Sequence, residues 1–523
     1  MRRASSLLPV TTAAAAAAAL RPASPVYVTT PIYYVNAEPH IGHAYTSIAC
    51  DAACRFARLD GYTTKLVTGT DEHGQKVEAS AAAAGVEPME FATRMSSKFR
   101  SLADSFEVDY DRFIRTTDSD HSECVKHFWE KLEENGKIYL GAYEGWYCVR
   151  DECYYAESEL VDGKAPTGAD VEWLAEASYF FKLSEYQDEL IRLYETDEIL
   201  VMPKARKNEV LAFLKNQDLR DLSVSRTTFD WGLRVPKDDS HVVYVWIDAL
   251  CNYLTAIGYP SEEWRTWWED VTHVVGKDIL RFHAIYWPAL CLAAGLAPPR
   301  RIVAHGWWTK DGAKISKSLG NTVDPNDLLR IYGLDATRFF LLSAVPFGSD
   351  GDFSRAAMLA SANGFLANAL GNLAQRVCTM LFKHQAQTPG SDDLDSNADS
   401  LLTACYALPD AMRPRVRHYR FDLALQEVEA VVRAANRYFD AAEPWQLKKS
   451  DTSAMLRVLS ASLETLRCVA IAYQPFMPTA ATRLLDQLQV PPDCRSIAHI
   501  HPDYRLPAGM LYGDQVMTMV GGD

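Results

Sequence analysis

Two short segments hold the residues best suited to handling a phosphorylated reactant. In His40-Ile41-Gly42-His43 two imidazoles stand three residues apart, so both project from one face at the start of a helix. Backbone N–H groups and the helix dipole already favour an anion there. Gly42 removes a side chain between them, so a nucleotide's base and sugar can lie close to the backbone. In Lys314-Ile315-Ser316-Lys317-Ser318 two ammonium groups sit on a loop flanked by Gly312 and Gly320. Point charges on a mobile loop suit a leaving group that is held in the transition state and then released. Singly, each segment is ordinary: such histidines are usual on a solvated helix face, and such lysines on a surface loop. Together they point to phosphoryl or nucleotidyl transfer, where catalysis is mostly positioning and charge neutralisation.

The elements that would carry these segments are legible. Residues 26–30 are β-branched and aromatic and end at Pro31, which suits a buried parallel strand. Across residues 41–59, Ile41, Ala44, Ile48, Ala52 and Phe56 recur at helical spacing, and Gly61 is the stop. A second strand at 64–68 runs into the polar turn 69–74, which opens another helix. Strand, helix, strand, helix predicts an α/β doubly wound sheet, whose ligands sit beyond the carboxyl ends of the strands. From Ile138 to Trp231 the texture becomes aromatic strand-like pieces with Asp and Gly turns, read as an insertion. The βα texture resumes at 242–246, returns at 273–275 and 302–305, and ends past Lys317. From about Ala356 the pattern is helical, predicting a bundle of five to six helices, with 385–400 as an exposed loop.

With 523 residues, two to four domains are expected. The 48% hydrophobic and 23% charged fractions are those of a soluble globular chain, and no run long enough for a membrane span follows the N-terminus. The eleven cysteines are scattered without a Cys-x-x-Cys pair, which favours a reducing compartment. The formal charge of −15 opposes bulk binding to a polyanion, although a local basic groove can still hold RNA. The first 37 residues lack Asp and Glu, and Arg2, Arg3 and Arg21 flank Ser5, Ser6 and an alanine run. That composition reads as an organellar transit segment over 1–24, mitochondrial or plastid; a secretory signal and an unaddressed tail are the alternatives.

The two segments, in this order on a βα background, resemble the signature motifs of class I aminoacyl-tRNA synthetases. From Val26 nearly to its end the chain is similar to methionyl-tRNA synthetases of bacterial or organellar type. The resemblance implies a split Rossmann-like catalytic domain (25–137 and 232–355) interrupted by a connective insertion (138–231). An all-α anticodon-binding bundle (356–523) would follow. It implies ATP-dependent attachment of L-methionine to tRNA(Met) through methionyl-adenylate, with Mg²⁺–ATP as the nucleotide substrate. His40 and His43 would stabilise the α-phosphate transition state, and Lys317 would contact pyrophosphate with Lys314 beside it. Gly42 and Gly276 would complete the ATP site. Ile315 stands where methionine is commoner, one apolar side chain for another.

A methionine pocket must hold an unbranched thioether, ideally against aromatic edges, and supply an anion for the ammonium. The resemblance places it on Ile32, Tyr34, Asp71, Trp246, Ala249, Leu250, Tyr253, Ile279, His283 and Trp287. Asp71 would pair with the ammonium, Tyr34 and His283 would flank sulfur, and Trp246, Tyr253 and Trp287 would form walls. Leu250 departs from the proline of some relatives. Without the resemblance, 242–246 reads as a buried strand and His283 and Trp287 as satisfied core residues.

The insertion is too short for the editing domain that isoleucyl, valyl and leucyl enzymes need. No Cys/His cluster accompanies His40 or Trp246, as a cysteinyl enzyme would require. Cys148 is followed by Val149, Arg150 and Asp151, so the family's Cys-x-x-Cys knuckle is incomplete, and no structural zinc is expected. The resemblance puts the readers of a CAU anticodon at Asn372, Arg376 and Trp445, the tryptophan stacking on a base. An N-cap or interhelical hydrogen-bond role for Asn372 and a partly buried core tryptophan are the plainer roles. No dimerisation domain is recognised after the bundle, so a monomer is the expected state. A catalytically silent RNA-binding relative would be expected to have lost His40, His43 or Lys317, and all three are present. A sister ligase and a non-synthetase nucleotidyltransferase complete the rivals.

Overall fold

The computed structural model describes residues 25–506 apart from Glu152, Ala156 and residues 316–321 and 384–395. The proposed transit segment 1–24, Lys317 and most of the loop expected at 385–400 therefore lie outside the described residues.

A seven-stranded parallel sheet organises the catalytic half. Its order across the sheet is Arg112–Arg115, Thr64–Asp71, Val26–Thr29, Val271–Gly276, Arg301–His305 and Leu200–Met202. The short strand Tyr33–Tyr34 pairs with the carboxyl end of Thr64–Asp71. Neighbouring strands approach so closely at Gly69 that a β-carbon there would lie 1.9 Å from the Ile114 carbonyl oxygen. Val26–Thr29 lies between Thr64–Asp71 and Val271–Gly276, so the chain winds outward in both directions from the middle of the sheet. That reversal opens a crevice at the carboxyl edge.

The first helix among the described residues spans Ile41–Leu59, as its apolar periodicity predicts, and buries Ile41, Ala44, Ile48, Ala52 and Phe56. At roughly 1.5–3 kcal/mol for each fully buried large apolar side chain, this face fixes the helix on the sheet. One large apolar cluster continues from it into the C-terminal bundle, and a second fills the opposite face beneath the helix Val245–Thr255.

Three expectations need correction. First, the insertion at 138–231 contributes to the parallel sheet a strand that its texture did not predict. Its antiparallel sheet joins Ile138–Cys148, Cys153–Tyr155, Glu172–Phe181 and Leu222–Ser223, but Leu200–Met202 returns as an edge strand of the parallel sheet beside Arg301–His305. A three-residue strand has no periodicity of its own, and its pairing is with residues far along the chain. Second, 242–246 is not a strand of the parallel sheet. Asp238–Val243 is antiparallel in a separate small sheet, and Trp246 lies on the helix Val245–Thr255, every residue of which is buried. A short apolar run does not distinguish a strand from a helix that is buried all round. Third, 396–400 opens the helix Ser396–Tyr406, where Asp399 in the first turn complements the dipole.

Beyond Ser354 the described residues are helical through 355–383, with a π-helical stretch at Ala362–Gly371. Ser396–Tyr406, Leu408–Arg417, Phe421–Ala442, Pro444–Ser450, Thr452–Tyr473 and Pro478–Gln487 follow. Counting 355–383 as one and leaving aside three single 3-10 turns after 491, that is seven helices among the described residues, where the pattern predicted five to six. Where their side chains are described the cysteines are free thiols, nearly all buried. No described helix is long and apolar enough to cross a membrane.

Candidate active site

The crevice at the carboxyl edge is a cleft of about 1260 Å³. Its walls come from the loop after Val26–Thr29, the start of the first helix, and the ends of Thr64–Asp71, Val271–Gly276 and Arg301–His305. His40, Gly42, His43, Asp71, Gly276 and Ile315 all line it, together with nine of the ten proposed pocket residues, all but Trp287.

His40 and His43 cap their helix reciprocally. The Gly42 N–H donates to His40 Nδ1 at 3.1 Å, and the His40 N–H donates to His43 Nδ1 at 3.1 Å. An Nδ1 that accepts from a backbone N–H carries no proton, so each neutral ring holds its proton on Nε2. The rings lie 3.8 Å apart between centroids, two donors on one wall of the cleft. Desolvation, with the neighbouring His40 ring, holds His43 well below the usual histidine range. Gly42 has a reason the sequence did not disclose: a β-carbon there would come within 3.0 Å of the His40 ring, so glycine makes room for the cap.

Asp71 ends its strand 2% exposed, at the floor of the cleft. Across from it, Trp246, Ala249, Leu250 and Tyr253 come from the helix Val245–Thr255. His283 lies on a π-helical turn, Phe282–Tyr286, a widening often found at functional sites. Its Nδ1–H donates to the Ile279 carbonyl at 2.9 Å, leaving Nε2 to accept the Tyr253 hydroxyl at 2.7 Å. Burial pushes His283 down to about 4, so the ring is a neutral aromatic edge. Trp246 stacks on Phe282 at 3.6 Å and meets Tyr34 edge-on at 6.3 Å. The result is an apolar, aromatic recess with one carboxylate.

Trp287 does not line this recess. It is wholly buried, its indole N–H donates to His273 Nε2 at 3.1 Å, and His273 stacks beneath Tyr253 at 4.1 Å. The tryptophan supports the wall from behind, a separation of depth that helical spacing does not encode.

The neutral histidines carry a pH consequence. Desolvation lowers His43, His273, His283 and His305, whereas the same groups titrate near 6.5 when exposed. A group depressed on folding takes up protons on unfolding, so its contribution is complete above about 6.5 and is lost as pH falls. His283 alone, moving from 6.5 to about 4, accounts for about 3 kcal/mol by pH 4. Unfolding followed by circular dichroism should show a flat Tm from pH 7 to 8 and a progressive fall below 6.5; a Tm unchanged down to pH 5 would contradict it.

The nucleotide side contains residues that sequence reasoning missed. Asp278 follows Gly276, lines the cleft and accepts the Trp307 indole N–H at 3.1 Å. His305 ends its strand and meets Thr46 of the first helix at 2.8 Å. A β-carbon at Gly306 would lie 2.3 Å from the Ser349 carbonyl oxygen, so this turn requires glycine. The backbone of Lys314 ends the short strand Ala313–Lys314, antiparallel to Trp308–Lys310.

Behind the pocket, Asp248 accepts from His73 Nδ1 at 2.7 Å and His121 Nε2 at 2.8 Å. Burial opposes its ionisation, but the two histidines more than offset that and hold it at about 2. This network ties the helix Val245–Thr255 to the loop that follows Asp71. In the insertion Cys148 is buried among Ala165 and Ala169, and the described residues contain no group of three or more candidate metal ligands.

In the bundle, Asn372 opens the helix Asn372–Lys383 directly after the π-helical stretch, its Nδ2 donating to the Asn368 carbonyl at 3.1 Å. Arg376 pairs with Asp440 at 2.7 Å and lies over the rings of Phe439 and Trp445, at 4.7 and 5.5 Å. Trp445 is 43% exposed, so it is not the core tryptophan of the plainer reading.

The comparisons agree with this layout. A family model described as tRNA synthetases class I (M) matches residues 26–175 and 165–378, and one for the anticodon binding domain of methionyl tRNA ligase matches 393–507. The methionine–tRNA ligase of Rickettsia conorii is 48% identical over 491 residues, 92% of this chain and 96% of the relative. That of Mesorhizobium japonicum is 47% identical over 492 residues, with 92% and 95% covered. The solved Mycobacterium tuberculosis methionyl-tRNA synthetase in complex with methionyl-adenylate superposes with a TM-score of 0.91 at 44% identity, covering 94% of this chain and 99% of that one. Its apo form gives 0.85 at 41%, covering 96% and 99%. Both parts of the family are thus matched along one chain whose relatives are nearly half identical over almost their whole length, and the chain belongs to the methionyl-tRNA synthetases of class I.

Proposed function

We propose that this class I methionine–tRNA ligase charges tRNA(Met) with L-methionine inside a mitochondrion or plastid, acting as a monomer. The observation that carries the charging reaction is the meeting of Asp71 and the recess of Trp246, Tyr253 and His283 with His40 and His43 in one cleft. Asp71 holds the ammonium, the neutral rings receive the thioether, and the carboxylate is turned toward the α-phosphate of Mg²⁺–ATP. A carboxylate oxygen bonds to that phosphorus as its bond to the β-phosphate oxygen breaks, releasing pyrophosphate. The Nε2–H groups of His40 and His43 donate to the phosphate as charge develops, and Lys314 and Lys317 receive the pyrophosphate. The 2′-hydroxyl of the terminal adenosine then attacks the methionyl carbonyl carbon, losing its proton as AMP leaves.

ATP–pyrophosphate exchange with each of the twenty amino acids tests the reading. Exchange with methionine alone is expected. Exchange with another amino acid would overturn the pocket assignment, and none at all from folded protein that binds tRNA would favour a silent binding module. The acid-free N-terminus supports the organelle, and imaging of residues 1–37 fused to a fluorescent protein checks it. The insertion is proposed to be zinc-free, which metal analysis of the purified protein tests.

Asn372, Arg376 and Trp445 are proposed to read the anticodon, the exposed indole stacking on a base. Stacking contributes about 1–3 kcal/mol per base, so Trp445→Ala should raise the KM for tRNA(Met) by roughly 5- to 150-fold. Methionine-dependent exchange, which needs no tRNA, should not change. An unaltered KM for tRNA would remove Trp445 from the interface.

A further inference from the structure

The guanidinium of Arg338 is fully buried and joins three parts of the chain. Nη2 donates to Asp51 Oδ2 on the first helix and to the Pro475 carbonyl, the latter at 3.0 Å. Nε donates to the Phe476 carbonyl at 3.2 Å, and Nη1 to the Phe106 carbonyl at 2.9 Å. Pro475 and Phe476 form the turn between the bundle helices Thr452–Tyr473 and Pro478–Gln487. Asp335, on the same helix as Arg338, accepts from the N–H groups of Thr479 and Ala480 at 3.3 and 2.7 Å. Farther along the first helix, its C-cap Asp60 takes both a 2.9 Å and a 3.1 Å bond from bundle residue Arg413.

The helix that presents His40 and His43 at its N-terminus is therefore clamped to the bundle along its C-terminal half. A fork of fixed donors directed at a carboxylate and three carbonyls sets orientation as well as distance. We propose that Arg338, with Asp51, is a positioning residue for aminoacyl transfer: it fixes the RNA-binding bundle relative to the helix that bears the catalytic histidines. The inference rests on the charging reaction proposed above. An RNA held by its anticodon loop on the bundle must deliver its far end to the cleft, so a few degrees of rotation at this joint become ångströms at the reacting hydroxyl. Misplacement by about 1 Å costs roughly 10²-fold in rate. Adenylate formation uses groups on the cleft side of the joint and is indifferent to such a rotation.

The test compares two half-reactions in full-length protein carrying Arg338→Lys or Asp51→Asn. Methionine-dependent exchange should stay within about twofold of wild type. Single-turnover transfer from preformed adenylate to tRNA(Met) should slow by ~10-fold or more, with the KM for tRNA moving less than about threefold. A purely structural role lowers the two half-reactions in proportion, and that result overturns the proposal, as does transfer at the wild-type rate in a folded variant. If both core variants fail to fold, Arg413→Ala, which leaves the buried pair intact, must show the same split in milder form or the proposal falls. Wild-type protein without methionine-dependent exchange would instead overturn the charging reading, and this inference with it.

Discussion

Replacing Asp71 with alanine is expected to lower kcat/KM for methionine in ATP–pyrophosphate exchange by ~10²–10³-fold, with little change in the KM for ATP. Asp71 is 2% exposed at the carboxyl end of its strand, and its backbone pairs with Tyr34. The position is therefore fixed by the sheet and not by a flexible loop. A substrate ammonium entering the recess gives up its water. Among the described recess residues Asp71 supplies the compensating charge, because Trp246, Tyr253 and the neutral His283 offer none. Truncating one partner of a desolvated charge pair typically costs about 2–5 kcal/mol, much of it from leaving the other charge buried and uncompensated. Asp71→Asn separates charge from shape: it preserves volume and most packing, and should lose nearly as much as alanine. A loss below about fivefold in the asparagine variant, in protein with wild-type Tm, would show that the ammonium is held elsewhere.

The parts of the molecule legible in the sequence are those with local signals. The first helix is readable to the residue because its apolar spacing and the Gly61 stop agree with one another. The strand Thr64–Asp71 is readable at its start but runs past the predicted end at 68, because Gly69 and Asp71 are turn formers on local propensity and are held extended by neighbouring strands. Leu200–Met202 is invisible for the same reason in stronger form. The long-range pairing that defines it lies a hundred residues away, to Arg301–His305.

The site divides along the same line. Its residues could be placed because two short motifs anchor a resemblance, but depth could not. Trp287 and Trp246 look alike as aromatics in apolar runs, yet one supports the recess from behind while the other faces it. Asp278 and His305 were within reach, since one follows and the other ends a strand whose carboxyl edge was already expected to bind ligand. The Asp248 network was not, because His73 and His121 approach it from 175 and 127 residues away. The π-helical turn that carries His283 likewise has no sequence rule.

The histidine pair carries the other large effect, and its capping geometry makes a clean test possible. Alanine at either position would confuse loss of a donor with loss of a helix cap, which alone costs about 0.5–2 kcal/mol. His40→Asn keeps a good N-cap, and His43→Gln keeps a side-chain oxygen able to accept the backbone N–H that His43 Nδ1 now accepts. Both substitutions remove the imidazole Nε2–H and leave a carboxamide N–H that is not held at the same point. If those donors bear on the α-phosphate in the transition state, kcat for exchange should fall by ~10²–10³-fold in each variant. The KM for methionine should hardly move, because the recess around Asp71 is untouched. Tm should stay close to wild type, because the helix start is still capped. The double variant should lose less than the product of the two single losses, since the rings lie 3.8 Å apart and share one target. Near-normal kcat in a stable His43→Gln protein would show that the imidazole itself is not needed at that position and that a carboxamide donor or the neighbouring His40 and lysine loop suffice.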